Sequence, residues 1–226
     1  MSQIANIVKL IEDNNVCTFT LPESKREVNF KRYDVASLNN INNIFNKSDG
    51  NEILIDYYNY LIDLIKKRTT EDLSYIDFLY SILYIRYNEN DTYNDISLKE
   101  AVESIPEKIS EVIIPDSLKI SDNKIDYQIN FELPNMSKLS KLLRICKKDS
   151  SDILFYSIFK FVKDIIIEVG EQSTEANTIE DLRSIYNVIS YKALDRINDT
   201  TNNITDKLYN LYNVNIETDT GFLIST

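Results

Sequence analysis

Between Lys124 and Leu133, apolar and polar side chains alternate without a break: Ile125, Tyr127, Ile129, Phe131 and Leu133 against Asp126, Gln128, Asn130 and Glu132. Successive side chains of a strand point to opposite faces, so this segment demands a β-strand with one buried and one wetted face. Much of the remaining chain follows the helical period instead. Together the two patterns define an α+β protein, predominantly helical, with an N-terminal β-hairpin and a small antiparallel β unit in mid-chain.

The hairpin is read from Val16 to Leu21 and from Arg26 to Phe30, flanking the turn sequence Pro22-Glu23-Ser24-Lys25. Before it, Ile4, Ile7, Val8 and Ile11 recur at helical spacing. After it come a helix through Val35, Leu38, Ile41, Ile44 and Phe45, with Asp34 placed to cap it, and a second from Asn51 to Arg68. Ser74 and Asp77 have the spacing of a capping box and open a helix from Tyr75 to about Tyr87, whose apolar residues wrap most of its circumference; such a helix belongs in the centre of a lobe. A short helix is expected from Leu98 to Ser104, ended by Pro106. The β unit is expected to hold strands at Lys108 to Ile114, Ser117 to Ser121 and Lys124 to Leu133, with Asp122-Asn123 as a two-residue turn. Helices are then expected at Met136 to Cys146, at Ser151 to Val169 with Gly170 as a left-handed cap, and from Thr178 through Leu194 and Ile197 towards Leu208. The chain divides most naturally into 1–105, a hairpin plus helical lobe, and 106–226, the β unit plus a C-terminal helical lobe, though no long linker separates them.

The 226 residues include no histidine, which removes the usual general base near neutral pH and every site built on imidazole. Three glycines supply no phosphate-cradling loop, and neither P-loop, dinucleotide fingerprint, nucleophile elbow nor EF-hand is present. Glu71-Asp72 and Glu180-Asp181 have the composition of a carboxylate site, but both fall at helix starts, where acidic side chains complement the dipole. Among the 15 tyrosines, Tyr57, Tyr58, Tyr75, Tyr80, Tyr84 and Tyr87 lie among aliphatic residues in helices, which points to packing rather than a stacking platform. Cys17 and Cys146 are too far apart in sequence to suggest a zinc pair and read as buried thiols in a reducing compartment. No cofactor or metal is therefore expected.

A net charge of −11 repels phosphate backbones and anionic lipid heads, so neither nucleic acid nor membrane is an expected partner. Lys31-Arg32, Lys66-Lys67-Arg68 and Lys147-Lys148 are too short for a polyanion track. The opening residues lack the pattern of a secretory signal, and the apolar stretch from Ile153 to Val169 is broken by Lys160, Lys163, Asp164 and Glu168, so no spanning segment is expected.

Taken in order, several segments resemble the baseplate hub assembly proteins of T-even-like contractile-tailed bacteriophages. Leu21-Pro22-Glu23-Ser24-Lys25-Arg26, followed by Val28, Phe30 and Lys31-Arg32, is similar to that family's opening of strand, Leu-Pro turn and strand with a basic residue after it. The aromatic helix from Tyr75 to Arg86 and the apolar-Pro close at Phe131-Glu132-Leu133-Pro134 also resemble the family, as do Thr178 to Leu182 and Ala193 to Ile197 near the end. The turn has no glycine where the family usually does, Tyr33 follows Arg32 in place of proline, and no Met-Pro pair follows the last match.

The resemblance implies a non-enzymatic tail-baseplate assembly protein, acting in the host cytoplasm as a chaperone or scaffold through contacts with other phage tail or baseplate proteins. Two other readings stand beside it: a permanent structural subunit of the virion baseplate and, more distantly, a carboxylate-metal enzyme. Self-association is left open. The expected contact surface is the hairpin, through Val16, Phe19, Leu21, Val28 and Phe30, together with the apolar end Phe222, Leu223 and Ile224.

Overall fold

The computed structural model describes residues 3–31, 35–47, 51–66, 68–69, 71–146, 152–214 and 216. The chain is α+β and mostly helical, with nine α-helices among the described residues. It forms two compact units, Met1–Ile109 with Leu211–Thr226, and Ser110–Asn210.

The first unit opens with helix α1 (Gln3–Asn14) and the hairpin β1 (Val16–Thr20) and β2 (Glu27–Lys31), paired antiparallel with Cys17 opposite Phe30 and Phe19 opposite Val28. Helices α2 (Val35–Lys47), α3 (Asn51–Lys66) and α4 (Tyr75–Glu89) follow, then the small hairpin β3 (Thr92–Tyr93) and β4 (Ile96–Ser97), and helix α5 (Leu98–Lys108). As its sequence demands, α4 is buried nearly all round, from Tyr75 through Leu83 and on to Ile85 and Arg86.

Ser74 caps α4, its hydroxyl accepting from the Asp77 amide at 3.3 Å. The Asp77 carboxylate does not close the capping box. It faces the hairpin turn, where Oδ1 accepts from the Glu23 amide at 2.9 Å and Oδ2 from the Ser24 amide at 3.1 Å. Ser74 itself donates to the Glu23 carboxylate. Above this clasp Phe19 stacks on Tyr84, with ring centroids 4.2 Å apart, and on Phe30 at 5.2 Å.

The second unit carries a four-stranded antiparallel sheet in the order β5 (Ser117–Asp122), β6 (Ile125–Phe131), β7 (Val162–Val169), β8 (Gln172–Ala176). Its helices are α6 (Met136–Cys146), α7 (Asp152–Phe159), α8 (Ile179–Tyr186) and α9 (Tyr191–Tyr212), the last two residues of α9 belonging to the first unit. Tyr127, Ile129 and Phe131 turn inward on β6 as their alternation requires; Leu139, Leu142, Leu143, Phe155, Phe159, Leu182 and Ile197 are among the residues buried with them.

The structure corrects several of these expectations. The helix expected from Ser151 to Val169 is α7 followed by β7. Val162, Ile165, Ile166, Ile167 and Val169 are β-branched, stiff at χ1 and suited to a pleated surface, and β6 offers them an edge, with Ile129 opposite Ile165. Gly170, at φ +61°, consequently opens the two-residue turn between β7 and β8 instead of capping a helix. The strand expected at Lys108 to Ile114 is the end of α5 and a 3₁₀ turn, Ile109–Glu111. Buried Leu98, Ala101, Val102 and Ile105 hold α5 long enough to carry it through Pro106, whose ring removes one bond near the helix end.

The turn joining β5 and β6 uses Asn123 (φ +50°) and Lys124 (φ +68°), one residue later than expected, because Asp122 already pairs with Ile125. The helix read through from Thr178 breaks after Tyr186, and the Ser190 hydroxyl accepts from the Ala193 amide to start α9. The chain passes from the first unit to the second at Ile109/Ser110, and from Leu211 it belongs to the first unit again. There Tyr212 and Ile216 are buried, and the Tyr212 hydroxyl donates to the Ile76 carbonyl at 2.8 Å.

Asp77→Ala should lower stability by about 2 kcal/mol, since two partly buried turn amides lose a charged acceptor, and Asp77→Asn by less. Gly170→Ala has open space for its methyl group but an unfavourable φ, and should cost about 1 kcal/mol. Urea unfolding midpoints check all three.

Candidate functional site

The hairpin residues expected to face a partner turn mostly inward. Phe19, Leu21 and Phe30 are buried within the first unit, and Val16 and Val28 are half-buried. The reason is α4: its aromatic flank supplies Tyr80 and Tyr84 as neighbours for Phe19, so the hairpin's inner face is core. Phe222, Leu223 and Ile224 lie outside the described residues.

Among the described residues, α1 carries a run of exposed large apolar side chains. Ile4, Ile7, Val8, Leu10 and Ile11 are between 47% and 73% exposed, although Ile4, Ile7, Val8 and Ile11 stand at the spacing that normally turns a helix toward a core. Ile7, Leu10, Ile11, Asn14 and Asn15 line a shallow hollow at its carboxyl end. The Asn14 side chain donates to the Leu10 carbonyl at 2.8 Å, and the Asn15 amide to that of Ile11 at 3.0 Å, so the helix end is satisfied locally. The periodicity of α1 is plain in the sequence. Nothing in it distinguishes a stripe facing the protein's own core from one left for another molecule.

The second unit holds a cleft of about 700 Å³ between α6, the start of β7 and the β8–α8 connection. Lys138, Lys141, Arg144 and Lys163 line it against Glu132 and Glu180, over Ile145, Ile179 and Leu182. Lys138 is engaged: its Nζ donates to Glu132 Oε1 at 3.0 Å and to the Val162 carbonyl at 2.7 Å. Burial pulls its pKa below the ordinary lysine value, partly offset by the hydrogen bond and charge of Glu132. Lys141, Arg144 and Lys163 are exposed, with no carboxylate at ion-pair distance among the described residues.

Beneath α6 lies a second polar group. Asp152, buried at the start of α7, pairs with Arg183, whose guanidinium lies over the Phe155 and Tyr186 rings at 4.9 and 5.4 Å. Cys146 donates to the Asp152 carbonyl at 3.3 Å, and burial, reinforced by the Asp152 charge, pushes its thiol up to about 12. That thiol is therefore a poor nucleophile at neutral pH. The site has the chemistry of a packed core, not of a catalyst.

The acidic pairs take structural places. Asp181 donates its amide to the Thr178 cap at 3.1 Å, and Glu71 pairs with Arg26. No group of three His, Cys, Asp or Glu side chains suited to a metal occurs among the described residues. Tyr57, Tyr58, Tyr75 and Tyr80 are buried, and Tyr84 and Tyr87 half-buried. No described helix is long and apolar enough to cross a membrane. Comparison with models of protein families, with curated proteins and with solved structures gave no match.

Cys17 and Cys146 are both buried, so neither should react with a thiol reagent at neutral pH until the protein is unfolded. The folded Cys146 thiol keeps its proton to about 12 while an ordinary thiol releases it near 9.0. The unfolded chain therefore sheds protons first, and the stability this thiol contributes is full below pH 9 and lost as pH rises toward the folded value. Urea midpoints between pH 8 and 11 should fall less steeply in Cys146→Ser than in the parent protein, the difference removing the common titration of tyrosines and lysines.

Proposed function

We propose that this chain works by binding other proteins, as an assembly chaperone or scaffold for the baseplate hub of a contractile phage tail. One observation carries the protein-binding part: a helix whose apolar stripe is turned to solvent. Burial of apolar area is the main favourable term in protein association, and a helix offering residues at i, i+3, i+4 and i+7 is the form in which one protein commonly docks into a groove of another. The baseplate assignment rests on the ordered sequence resemblance, from the Leu21-Pro22 turn to Ala193–Ile197. Its partners are then other tail or baseplate proteins met in the host cytoplasm. The absence of histidine and of a nucleotide-binding loop agrees with a role without catalysis.

The contribution of α1 is tested with Ile7→Gln and Ile11→Gln together, which keep helix propensity and remove the apolar stripe. Because both side chains are exposed, stability should change by no more than about 0.5 kcal/mol each, while recovery of tail proteins with the tagged chain from phage-producing cells should fall at least several-fold. Equal recovery with parent and variant would reject α1 as the contact surface. Quantitative mass spectrometry of lysate and purified particles then separates the roles: loss from finished particles marks a chaperone, and stoichiometric retention marks a permanent subunit.

A further inference from the structure

The cleft of the second unit is a concentration of positive charge in a strongly acidic protein. The chain carries 25 basic and 36 acidic residues, yet α6 reads Met-Ser-Lys-Leu-Ser-Lys-Leu-Leu-Arg-Ile-Cys, with three cations and no carboxylate. Lys138, Lys141 and Arg144 are spaced three apart, a row about 9 Å long on the helix side that lines the cleft. Lys163 joins them from β7.

The chemistry separates the possible occupants. Lys138 is neutralised by Glu132, which leaves Lys141, Arg144 and Lys163 to meet a ligand, and Glu180 as the remaining carboxylate on the rim. Three available cations suit two or three negative groups, not a polymer. A nucleic-acid strand would carry one charge per nucleotide beyond the cleft and meet a chain of net charge −11 there. A free phosphate would leave Ile145 and Ile179, half-buried on the cleft wall, without a partner. A short acidic stretch of another protein, with apolar residues between its carboxylates, matches both the cations and this apolar wall. The amino ends of α6 and α8 also border the cleft, but Asn135 and Thr178 already cap them, at 2.9 and 3.1 Å, and the side-chain cations set its sign.

We infer that the cleft lined by Lys141, Arg144 and Lys163 is a docking site for an acidic, apolar-interspersed segment of a partner protein. The site lies in a different unit from α1, so it stands whether or not α1 is a contact surface.

The test uses the full chain and a short fluorescein-labelled peptide alternating Glu with Leu, followed by fluorescence anisotropy. Binding should weaken as salt is raised and should weaken about tenfold or more in Lys141→Glu with Arg144→Glu. These exposed positions should leave the melting curve unchanged. The same charge change placed elsewhere, Lys99→Glu with Lys108→Glu, should leave binding intact, and a peptide alternating Gln with Leu should not bind. Failure of the Glu peptide to bind, or equal loss in both double variants, would overturn the site. Displacement of the peptide by inorganic phosphate or by a short oligothymidylate at lower concentration than by unlabelled peptide would overturn the choice of occupant.

Discussion

Everything in the first unit follows from a helix that has no wet side. From Tyr75 to Arg86, α4 is buried in almost every direction, and a helix apolar all round is stable in water only when other elements enclose it. The hairpin covers one flank with Phe19, and Asp77 locks it there by accepting from two amides of the hairpin turn. A turn that follows Pro22 and carries Lys25 at φ +58° leaves backbone amides with no strand partner. The Asp77 carboxylate gives two of them, at Glu23 and Ser24, a charged acceptor. Asp77 thus satisfies the turn and fixes the cover in one interaction.

Enclosing α4 also requires Leu211, Tyr212, Val214 and Ile216. The Tyr212 hydroxyl closes on the Ile76 carbonyl, and Leu211, Val214 and Ile216 are buried in the same unit. The second unit is consequently an insertion, Ser110–Asn210, within a first unit made from two separate stretches. Contacts spanning such a sequence distance form late, because loop closure must precede them. The inserted unit, continuous in sequence, is free to form its sheet first; its meander pairs each strand with the next.

Much of this was legible in the sequence where a single period dominated. The alternation of 125–133, the stripe of α3 and the all-round apolarity of α4 each specify one structure, and Ser74 and Thr178 mark helix starts through short polar side chains. Legibility failed where one composition fits two periods. Ile153 to Val169 is apolar enough for either a helix or a buried strand, and the outcome depended on the edge of β6, which is distant in sequence. The return of residues 211–216 was hidden for the same reason: Leu211 and Tyr212 continue the stripe of α9, and their separate destination is a tertiary fact. The turn between β5 and β6 was shifted because a chain with three glycines builds left-handed positions from residues such as Asn123 and Lys124, which are equally at home elsewhere.

The surfaces suited to binding were obscured by the opposite problem, in which a local signal was clear and its direction was not. Phe19 and Phe30 have the pattern of a sheet face open to a partner, and α4 claims them; Ile7 and Ile11 have the pattern of a core stripe and stay in water. The cationic row of α6 was invisible to a net charge of −11, since a total says nothing about where the positive side chains gather. Distribution is what makes such a protein selective. A chain of net charge −11 repels acidic partners at long range, so a segment short enough to lie within the cleft would gain from Lys141, Arg144 and Lys163 without meeting carboxylates beyond it. The excess negative charge elsewhere would therefore sharpen the choice of ligand at this cleft.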